Sequence, residues 1–425
     1  MSSILWCSAS AAITRNSVMP KSLLQAAYVA PMSRGLIRDG AVVSDGVRIV
    51  EFGSTPAMRA AHPDAIVIDV GDVVLMPGLV NAHTHLELTH VTRAADRWAG
   101  SFADWILTVR DEARRSPAES RHAGLQQCRK FGVTCVGDIT HSYGMERIGH
   151  ITGVRVLPFL EALGIGKARP RFEETIIQIT EALKKPGGAR GISPHAPYTV
   201  DADGYKLCLE LAKKYDAPLM THLAETTDET QFMTDHTGPF RVLLDQLGLW
   251  DETIRTDPGP PIEFAYACGL LEYPKTILSH VNYCDDSELD RLSQGRASVV
   301  YCPRTHAYFG HPPHRWREML ARGINVAVGT DSCASSPDLN IVEDLRLLHR
   351  LAPEVPPQVL WEMATTRGAR ALSLPDVGRL DAGCVADFIA FPARSQDPLR
   401  ELLENDALPI ACVASDEQIR TLSRP

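Results

Sequence analysis

The chain has 425 residues, of which 44% are hydrophobic and 22% are charged, a balance that can bury a large core and excludes collagen-like and wholly disordered chains. The 52 acidic and 43 basic residues give a formal net charge of -9, so no basic footprint for nucleic acid or an anionic membrane is present and a small-molecule partner is expected. The 10 cysteines include no C-x-x-C pair, which favours reduced thiols and a cytoplasmic protein.

Residues 1–22 are predicted to be a disordered extension, because the regular apolar pattern begins only near Leu23. Met19 is therefore a candidate initiator. No stretch approaches the ~18 apolar residues of a membrane span, and no basic segment precedes the apolar residues near the start. Neither a membrane anchor nor a signal peptide is predicted.

Short β-rich runs separated by Gly, Asp and Pro occupy residues 23–77. The same style returns after Pro375, in the run G-R-L-D-A-G-C-V-A-D-F-I-A-F. We therefore predict a small β-sandwich domain built from both chain ends, residues 23–77 together with 375–425.

Between residues 78 and 374, buried strands alternate with longer segments whose apolar residues are spaced three and four apart, which is typical of βα repeats. The predicted strands are Leu79–His83, Val133–Asp138, Val154–Leu160, Gly191–His195, Pro218–His222, Thr276–His280, Ser298–Cys302 and Asn325–Thr330. The clearest predicted helices are Asp104–Arg115, Ala202–Tyr215, Ser287–Gln294 and Ile341–Leu351. Parallel strands with crossover helices close into a barrel, so the predicted fold class is α/β, a (β/α)8 TIM barrel that forms the catalytic domain.

Metal-competent or titratable side chains end several of these strands. His83 and His85 lie two apart at the end of the first strand, and the period of two aims both imidazoles the same way. His222, His280 and Asp331 end the fifth, sixth and eighth strands. Each one alone fits a buried core histidine or a helix N-cap. Their joint placement at the carboxyl ends of barrel strands, where such barrels build their sites, favours a functional centre.

Three imidazoles and one carboxylate suit one divalent metal ion, zinc first, although iron or manganese fit the same donors. This set leaves one position open for water. A bound divalent ion lowers the pKa of that water from about 15.7 to near 7 and so supplies a nucleophile at neutral pH. The pattern therefore predicts a metal-dependent hydrolase.

Five segments, in chain order, resemble the amidohydrolase superfamily, and specifically its mononuclear aminohydrolase branch. They are P-G-L-V-N-A-H-T-H-L, P-H-A-P-Y-T, T-H-L-A-E-T, L-S-H-V and G-T-D-S. That branch includes cytosine, guanine, S-adenosylhomocysteine and aminodeoxyfutalosine deaminases and the triazine chlorohydrolases, and the resemblance covers the chain after Leu23. It implies that the metal ligands are His83, His85, His222 and Asp331.

The resemblance also implies catalytic and binding roles. Glu225 would be the proton shuttle, His280 would orient the nucleophile and polarise the scissile carbon, and His195 would contact the substrate. Hydrolytic removal of a ring amine needs one proton on the ring nitrogen and one on the departing ammonia. Glu225 can carry the first proton and Asp331 the second, although Glu225 also fits a solvated carboxylate at a helix start. His280 can stabilise the tetrahedral intermediate by a preorganised hydrogen bond.

The fourth strand bears on the number of metal ions. Binuclear members of the superfamily usually bridge two ions with a carboxylated lysine from this strand, and the segment G-I-S-P-H-A-P-Y-T contains no lysine. A single ion is expected. Glu225 then favours deamination over dechlorination, because ammonia leaves only after the ring nitrogen is protonated.

Three further residues are candidates for substrate binding. Arg304 at the barrel mouth is suited to a carboxylate or phosphate, Glu87 to ribose hydroxyls, and Trp98 to stacking, together with Phe102 and Trp105. Each also fits a structural role, as a surface arginine, a rim carboxylate or helix core. The favoured substrate is a 6-aminopurine nucleoside, of the aminodeoxyfutalosine or the S-adenosylhomocysteine/methylthioadenosine type.

Two alternatives stay open. One is a chlorohydrolase, or a guanine- or cytosine-type base deaminase, that uses the same site. The other, of a different class, is a catalytically silent binding protein, against which the retained Glu225 and His280 argue. A homodimer is expected, since dimers are common in the family.

Overall fold

The computed structural model describes residues 21–92, 100–113, 117–141, 153–185, 190–252, 254 and 259–413. Within these residues the strands form one eight-stranded parallel sheet and one seven-stranded mixed sheet. No described helix is both long and apolar enough to cross a membrane. Apart from Lys21 and Ser22, the predicted extension lies outside the described residues.

Fifteen strands are described. They are β1 (Ser22–Val29), β2 (Ile37–Ser44), β3 (Ile49–Ser54), β4 (Ile66–Asp69), β5 (Val73–Pro77), β6 (Leu79–Thr84), β7 (Val133–Thr140), β8 (Arg155–Ala162), β9 (Gly191–Pro194), β10 (Leu219–Leu223), β11 (Thr276–His280), β12 (Ser298–Tyr301), β13 (Asn325–Val328), β14 (Phe388–Pro392) and β15 (Ala411–Val413). The described α-helices are α1 (Thr55–Ala61), α2 (Phe102–Ala113), α3 (Pro117–Lys130), α4 (Arg169–Lys184), α5 (Ala202–Lys214), α6 (Thr227–Asp235), α7 (Pro239–Gln246), α8 (Pro261–Ala267), α9 (Asp286–Gln294), α10 (Pro303–Phe309), α11 (Trp316–Ala321), α12 (Ile341–Leu351), α13 (Pro357–Met363), α14 (Thr366–Ala371) and α15 (Pro398–Glu404).

Strands β6 to β13 form the barrel in sequence order, each parallel to the next. The barrel closes between β6 and the segment after β13, where the Asp331 N–H donates to the His83 carbonyl oxygen at 3.1 Å. The side chain of Asn81 exchanges hydrogen bonds with Thr330 across the same seam. Glycine is required at position 329, because a Cβ there would lie 2.8 Å from both the Cβ and the carbonyl oxygen of His83. The seam therefore joins the G-T-D segment directly to the H-T-H segment.

The barrel interior is apolar toward the amino-terminal ends of the strands. Side chains from all the barrel strands except β9 pack there against α14 and the residues that follow it. The members of this cluster are Val80, Ala82, Cys135, Ile139, Leu157, Phe159, Met220, Ile277, Val300, Ala327, Ala369, Ala371, Leu372 and Val377. This end is closed by packed side chains, which leaves the carboxyl-terminal end for a site.

The second sheet joins the two chain ends. β1 pairs with β2 on one side and with β4 and β5 on the other, and β14 pairs antiparallel with β5. β5 ends at Pro77, and β6 begins at Leu79, so this sheet leads directly into the first barrel strand. The predicted module built from both ends of the chain is confirmed.

The predicted barrel is also confirmed, and its strand bounds differ from the predicted ones by at most two residues. Three of the four named helices lie where they were predicted, as α5, α9 and α12; the fourth is α2, and its predicted end lies outside the described residues. Two described helices lie outside the predicted barrel segment, residues 78–374, in parts of the chain where no helix was predicted. α1 lies within the module, and α15 packs against the barrel, where Leu399 accepts a hydrogen bond from Trp361 Nε1 at 3.0 Å.

Candidate metal centre and active site

The four residues expected to hold a metal meet at the carboxyl end of the barrel. His83 is on β6, His85 follows that strand, His222 is on β10, and Asp331 follows β13. His85 Nε2 and His222 Nε2 lie 3.2 Å apart. Asp331 Oδ1 lies 3.6 Å from Nε2 of His83 and 3.6 Å from Nε2 of His85. Sequence positions almost 250 residues apart, 83 and 331, thus contribute atoms to one small space.

These side chains fit a divalent ion. Buried His83 Nε2 has no hydrogen-bond partner among the described residues, which is unfavourable unless a ligand satisfies it. Two donors that each lie about 2.0–2.1 Å from the same zinc ion are roughly 2.9–3.6 Å apart, and the spacings of 3.2 Å and 3.6 Å between these donor atoms fall in that range. The three imidazoles and one carboxylate also match the donor chemistry of zinc.

Hydrogen bonds fix the orientation of three of these four side chains. His83 Nδ1 lies 3.0 Å from Ser279 Oγ, and His222 Nδ1 donates to the carbonyl oxygen of His195 at 3.0 Å. A carbonyl oxygen only accepts, so the proton of His222 is on Nδ1 and its Nε2 keeps its lone pair for a metal. Ser335 Oγ donates to Asp331 Oδ2 at 3.0 Å and leaves Oδ1 facing the histidines.

The electrostatics favour the ligand forms of these groups. Burial and the neighbouring His83 lower the pKa of His85 to about 4, and burial with the surrounding histidines lowers the pKa of His222 well below its ordinary value. Burial alone would raise the pKa of Asp331, but the adjacent His83 and the charges of His85 and His280 hold it below its ordinary value. Neutral imidazoles and an ionised carboxylate are the forms that bind a metal.

The backbone at this end of the barrel is strained. The φ angles of Ala224, His280, Val281 and Asp331 are 51°, 74°, 51° and 56°, in the left-handed region that residues with a Cβ seldom adopt. Each residue lies at the carboxyl end of a barrel strand or just beyond it. Such conformations persist only where the surrounding structure enforces them, and they concentrate at functional sites.

Glu225 and His280 form a second group beside the ligands. Glu225 Oε1 lies 3.4 Å from His280 Nε2, and one side-chain atom each of Glu225, His280 and Asp331 lie within 4.8 Å of one another. Burial, then the charges of Asp331 and Glu229, raise the pKa of Glu225 well above its ordinary value, which favours a protonated carboxyl. Burial lowers the pKa of His280 to about 3, so its imidazole is neutral.

Neighbouring groups hold this pair. The carboxylate of Glu229 accepts hydrogen bonds from the backbone N–H groups of Ala224 and Glu225, at 3.0 Å and 2.8 Å. The carbonyl oxygen of His280 accepts a hydrogen bond from His314 Nε2 at 2.9 Å. The segments that follow β10 and β11 are therefore fixed by side chains more distant from the metal ligands.

His195 and Glu161 line the wall on the side of β8 and β9. One ligand-type atom each of Glu161, His195 and His222 lie within 4.8 Å of one another. Glu161 Oε2 also pairs with His141 Nε2 at 2.8 Å. Burial would raise the pKa of Glu161, but the charges of His141 and His195 hold it below its ordinary value. The wall therefore presents an ionised carboxylate next to the predicted substrate-contacting histidine.

The structure argues against a substrate-binding role for Arg304. Its Nε donates to Asp344 Oδ2 at 3.0 Å, and its Nη1 and Nη2 donate to Oδ1 and the carbonyl oxygen of Asp338 at 2.7 Å and 2.8 Å. All three guanidinium nitrogens thus bind protein carboxylate or carbonyl oxygens, which leaves no fork for an anionic substrate. We correct the prediction: Arg304 ties α10 to α12 and to the loop that precedes α12.

One carboxylate oxygen of Glu87 is occupied by the protein itself. Its Oε1 accepts hydrogen bonds from Arg121, from Thr140 Oγ1 at 2.5 Å and from the backbone N–H of His141 at 3.2 Å. Its Oε2 lies 3.6 Å from His141 Nδ1. Ribose binding by Glu87 stays a prediction that only Oε2 could serve. Trp98 lies outside the described residues.

Phe102 and Trp105 join an aromatic cluster. The ring of Phe309 lies 5.0 Å from that of Phe102 and 5.1 Å from that of Trp105, and Phe240 stacks on Tyr198 at 3.7 Å. Both Phe102 and Trp105 are buried. The packing agrees with the helix-core alternative for these two residues.

The sequence interpretation missed three residues that shape the site, Glu161, Glu229 and His314. Glu161 had a usable signal, because it directly follows the predicted third strand in L-P-F-L-E-A, as His222 ends the fifth. Glu229 and His314 had none, because they act through the backbone of Glu225 and His280.

Residues 74–419 match the family model described as Amidohydrolase family. The chain belongs to the amidohydrolase family. Membership confirms the resemblance noted in the sequence and the enzyme class, a hydrolase that acts on carbon–nitrogen bonds.

Individual relatives agree with this assignment. The chain is 29% identical over 419 residues to the 5-methylthioadenosine/S-adenosylhomocysteine deaminase of Nitratidesulfovibrio vulgaris, covering 94% of this chain and 89% of the relative. It is 29% identical over 358 residues to the aminodeoxyfutalosine deaminase of Deinococcus radiodurans, covering 78% and 81%. The crystal structure of Helicobacter pylori aminofutalosine deaminase in complex with methylthio-coformycin superposes with a TM-score of 0.81 at 21% identity, covering 93% of this chain and 99% of that one, which shows a shared fold.

Proposed function

We propose that this amidohydrolase removes the 6-amino group of an adenine nucleoside by zinc-dependent hydrolysis and releases ammonia. The observation that carries the proposal is the geometry at the barrel mouth: the donors of His83, His85, His222 and Asp331 converge, and Glu225 lies beside them with a raised pKa, 3.4 Å from His280. The deaminase relatives support the reaction type.

When bound, the metal ion supplies the Lewis acidity that lets water attack an aromatic carbon near neutral pH. Glu225 is favoured in its protonated form and can deliver that proton to the ring nitrogen beside the reacting carbon. The ionised carboxylate of Asp331 can take the proton lost by water and pass it to the departing amine.

His280 can stabilise the negative charge that develops on the attacking oxygen. Its Nε2 is buried and has no hydrogen-bond partner among the described residues, and the ring is neutral. An N–H at that position can donate to the oxygen that forms on the substrate without first being freed from another partner. Such preorganised donors typically contribute ~10²- to 10³-fold in rate.

The contacts of Arg304 bear on which nucleoside fits. A substrate-binding Arg304 would favour an acidic nucleoside, but its guanidinium is bound to Asp338 and Asp344. Methylthioadenosine, which has no carboxylate, is therefore the first nucleoside to test. S-adenosylhomocysteine and aminodeoxyfutalosine follow it.

The test is ammonia release by the zinc-loaded chain with methylthioadenosine, S-adenosylhomocysteine, aminodeoxyfutalosine, adenosine, guanine and cytosine. We expect stoichiometric ammonia from methylthioadenosine, with the spectrum changing from an adenine to a hypoxanthine. Turnover of guanine or cytosine alone would support a base deaminase, and chloride release from a chlorinated triazine would support a chlorohydrolase. Full metal occupancy without any turnover would support a silent binding protein.

A further inference from the structure

One carboxylate oxygen of Glu161 is buried and has no hydrogen-bond partner among the described residues. Glu161 lies at the carboxyl end of β8, and only 4% of its side chain is exposed. His141 Nε2 holds Oε2 at 2.8 Å, whereas Oε1 accepts no hydrogen bond from any described residue. A carboxylate oxygen withdrawn from water without a donor is unfavourable, so its place calls for a donor from a ligand.

The carboxylate of Glu161 lies at the catalytic mouth. One of its oxygens and ring nitrogens of His195 and His222 lie within 4.8 Å of one another. A second metal ion does not account for the arrangement, because both nitrogens of His222 are already engaged: Nε2 faces His85 Nε2 at 3.2 Å, and Nδ1 bonds to the His195 carbonyl. A ligand that donates a hydrogen bond would satisfy the free oxygen.

The chemistry of an adenine nucleoside limits which of its groups can donate to Glu161. N1, N3 and N7 of the base are acceptors, and a carboxylate that pairs with the His141 imidazole at 2.8 Å accepts hydrogen bonds. The base offers one donor group, the departing amine, which the proposed mechanism assigns to Asp331, the residue that follows β13. The ribose hydroxyls are the other donors, and at Glu87, the residue predicted from sequence to bind them, Oε1 already accepts from Arg121, Thr140 and His141.

We propose that Glu161 selects for ribose, accepting hydrogen bonds from the sugar hydroxyls of the substrate through Oε1 while His141 holds Oε2. This inference rests on the proposed deamination of a nucleoside. The carboxylate of Glu161, which His141 holds, lies next to His195, so the sugar would lie on the β8–β9 side of the mouth, away from Glu225, which follows β10, and from His280 on β11.

The test compares methylthioadenosine with its 2′,3′-dideoxy analogue. The readout is the ratio of their kcat/KM values, in wild type and in Glu161→Gln. In wild type we expect kcat/KM for methylthioadenosine to exceed that for the dideoxy analogue by roughly 10- to 100-fold, the range for a hydrogen bond to a charged group. In Glu161→Gln this ratio should fall at least about tenfold, toward one. The fall must come from a lower kcat/KM for methylthioadenosine, while kcat/KM for the dideoxy analogue stays unchanged. Glu161→Ala, checked for folding by its Tm, should lower the ratio at least as far.

Glu174→Gln, which changes an exposed carboxylate on α4, serves as the control and should keep the wild-type ratio. Glu87→Gln tests the alternative ribose acceptor. An unchanged ratio in Glu161→Gln would overturn the proposal, whether or not the ratio falls in Glu87→Gln.

Binding measurements separate this inference from the proposed function. If the wild type releases no ammonia from any nucleoside, the deamination fails. Calorimetric titration with inosine and 2′,3′-dideoxyinosine then decides the role of Glu161. If wild type binds inosine more tightly than dideoxyinosine and Glu161→Gln binds the two equally, Glu161 contacts ribose even though the chain does not deaminate. If wild type binds the two probes equally, the ribose contact is ruled out.

Discussion

The two ends of the barrel are built in opposite ways. At the amino-terminal end, side chains such as Val80, Phe159 and Leu372 fill the interior and pack against α14. At the carboxyl-terminal end, polar atoms such as His83 Nε2, Glu161 Oε1 and His280 Nε2 are buried without partners among the described residues.

The backbone is also more strained at the carboxyl-terminal end of the barrel. The left-handed φ angles of Ala224, His280, Val281 and Asp331 all lie toward the carboxyl-terminal end. Close packing stabilises one end, and unsatisfied polar groups with strained backbone destabilise the other. The closed end therefore provides the stability that holds the open end in a geometry ready for catalysis. Variants at the two ends should separate stability from activity.

The largest effect is expected at the metal ligands. His222→Asn should lose bound zinc and lower kcat by roughly 10³-fold or more, since the ion supplies several kcal/mol of transition-state stabilisation. Metal content by mass spectrometry and ammonia release check this. The exposed His122 gives the control, His122→Asn, which should keep both metal and rate. If His222→Asn keeps full zinc occupancy and the wild-type kcat, the proposed metal centre is wrong.

The next effect is at Glu225. Glu225→Gln removes the proton that the raised pKa favours, so kcat should fall by roughly 10²- to 10⁴-fold. Zinc content should stay unchanged, and Tm should stay the same or rise, because a buried carboxyl is replaced by a neutral amide. Glu210→Gln, an exposed change on α5, is the control. A normal kcat in Glu225→Gln would remove this residue from the mechanism.

A substitution at the packed amino-terminal end of the barrel should lower stability without lowering activity. Leu372→Ala removes a fully buried side chain and should lower the free energy of unfolding by about 2–5 kcal/mol, while kcat per folded molecule stays at the wild-type value. Denaturant unfolding with active-site titration measures both quantities. The surface change Leu351→Ala, at a residue that is 61% exposed, should alter stability by less than about 0.5 kcal/mol. A large fall in kcat in Leu372→Ala would show that the two ends are not separable.

A smaller effect, dependent on pH, is expected at Asp387, where the second sheet meets the start of β6. Gly78 N–H donates to its carbonyl oxygen at 3.2 Å, and burial raises the pKa of its carboxyl from 3.8 to about 7. Because the folded-state pKa is the higher one, the stabilising contribution is complete below 3.8 and is lost as pH rises through about 7.

Asp387→Asn removes this titration. Between about pH 5 and about pH 8 the wild type should lose stability relative to the variant by an amount on the order of a few kcal/mol. Thermal unfolding of both proteins across that range, with kcat measured at each pH, checks the prediction. A constant difference in Tm across that range would contradict it.

The site was predictable from sequence where a residue and its strand are neighbours along the chain. His83, His222 and Asp331 end buried strands, and the carboxyl ends of parallel barrel strands meet on one face. Prediction failed where a partner comes from a distant segment. Arg304 follows a strand end by the same rule, yet its guanidinium turns to Asp338 and Asp344, which lie 34 and 40 residues later.

The sequence by itself determined the barrel, because apolar residues that recur with a period of two predict strands and those that recur with a period of 3.6 predict amphipathic helices. The order of residues also determined which imidazoles and carboxylates reach the open mouth. Only the tertiary structure decided which polar groups there stay free, because a hydrogen-bond partner is set by the packing of distant segments. That is why the guanidinium of Arg304 is occupied, whereas Oε1 of Glu161 has no hydrogen-bond partner among the described residues.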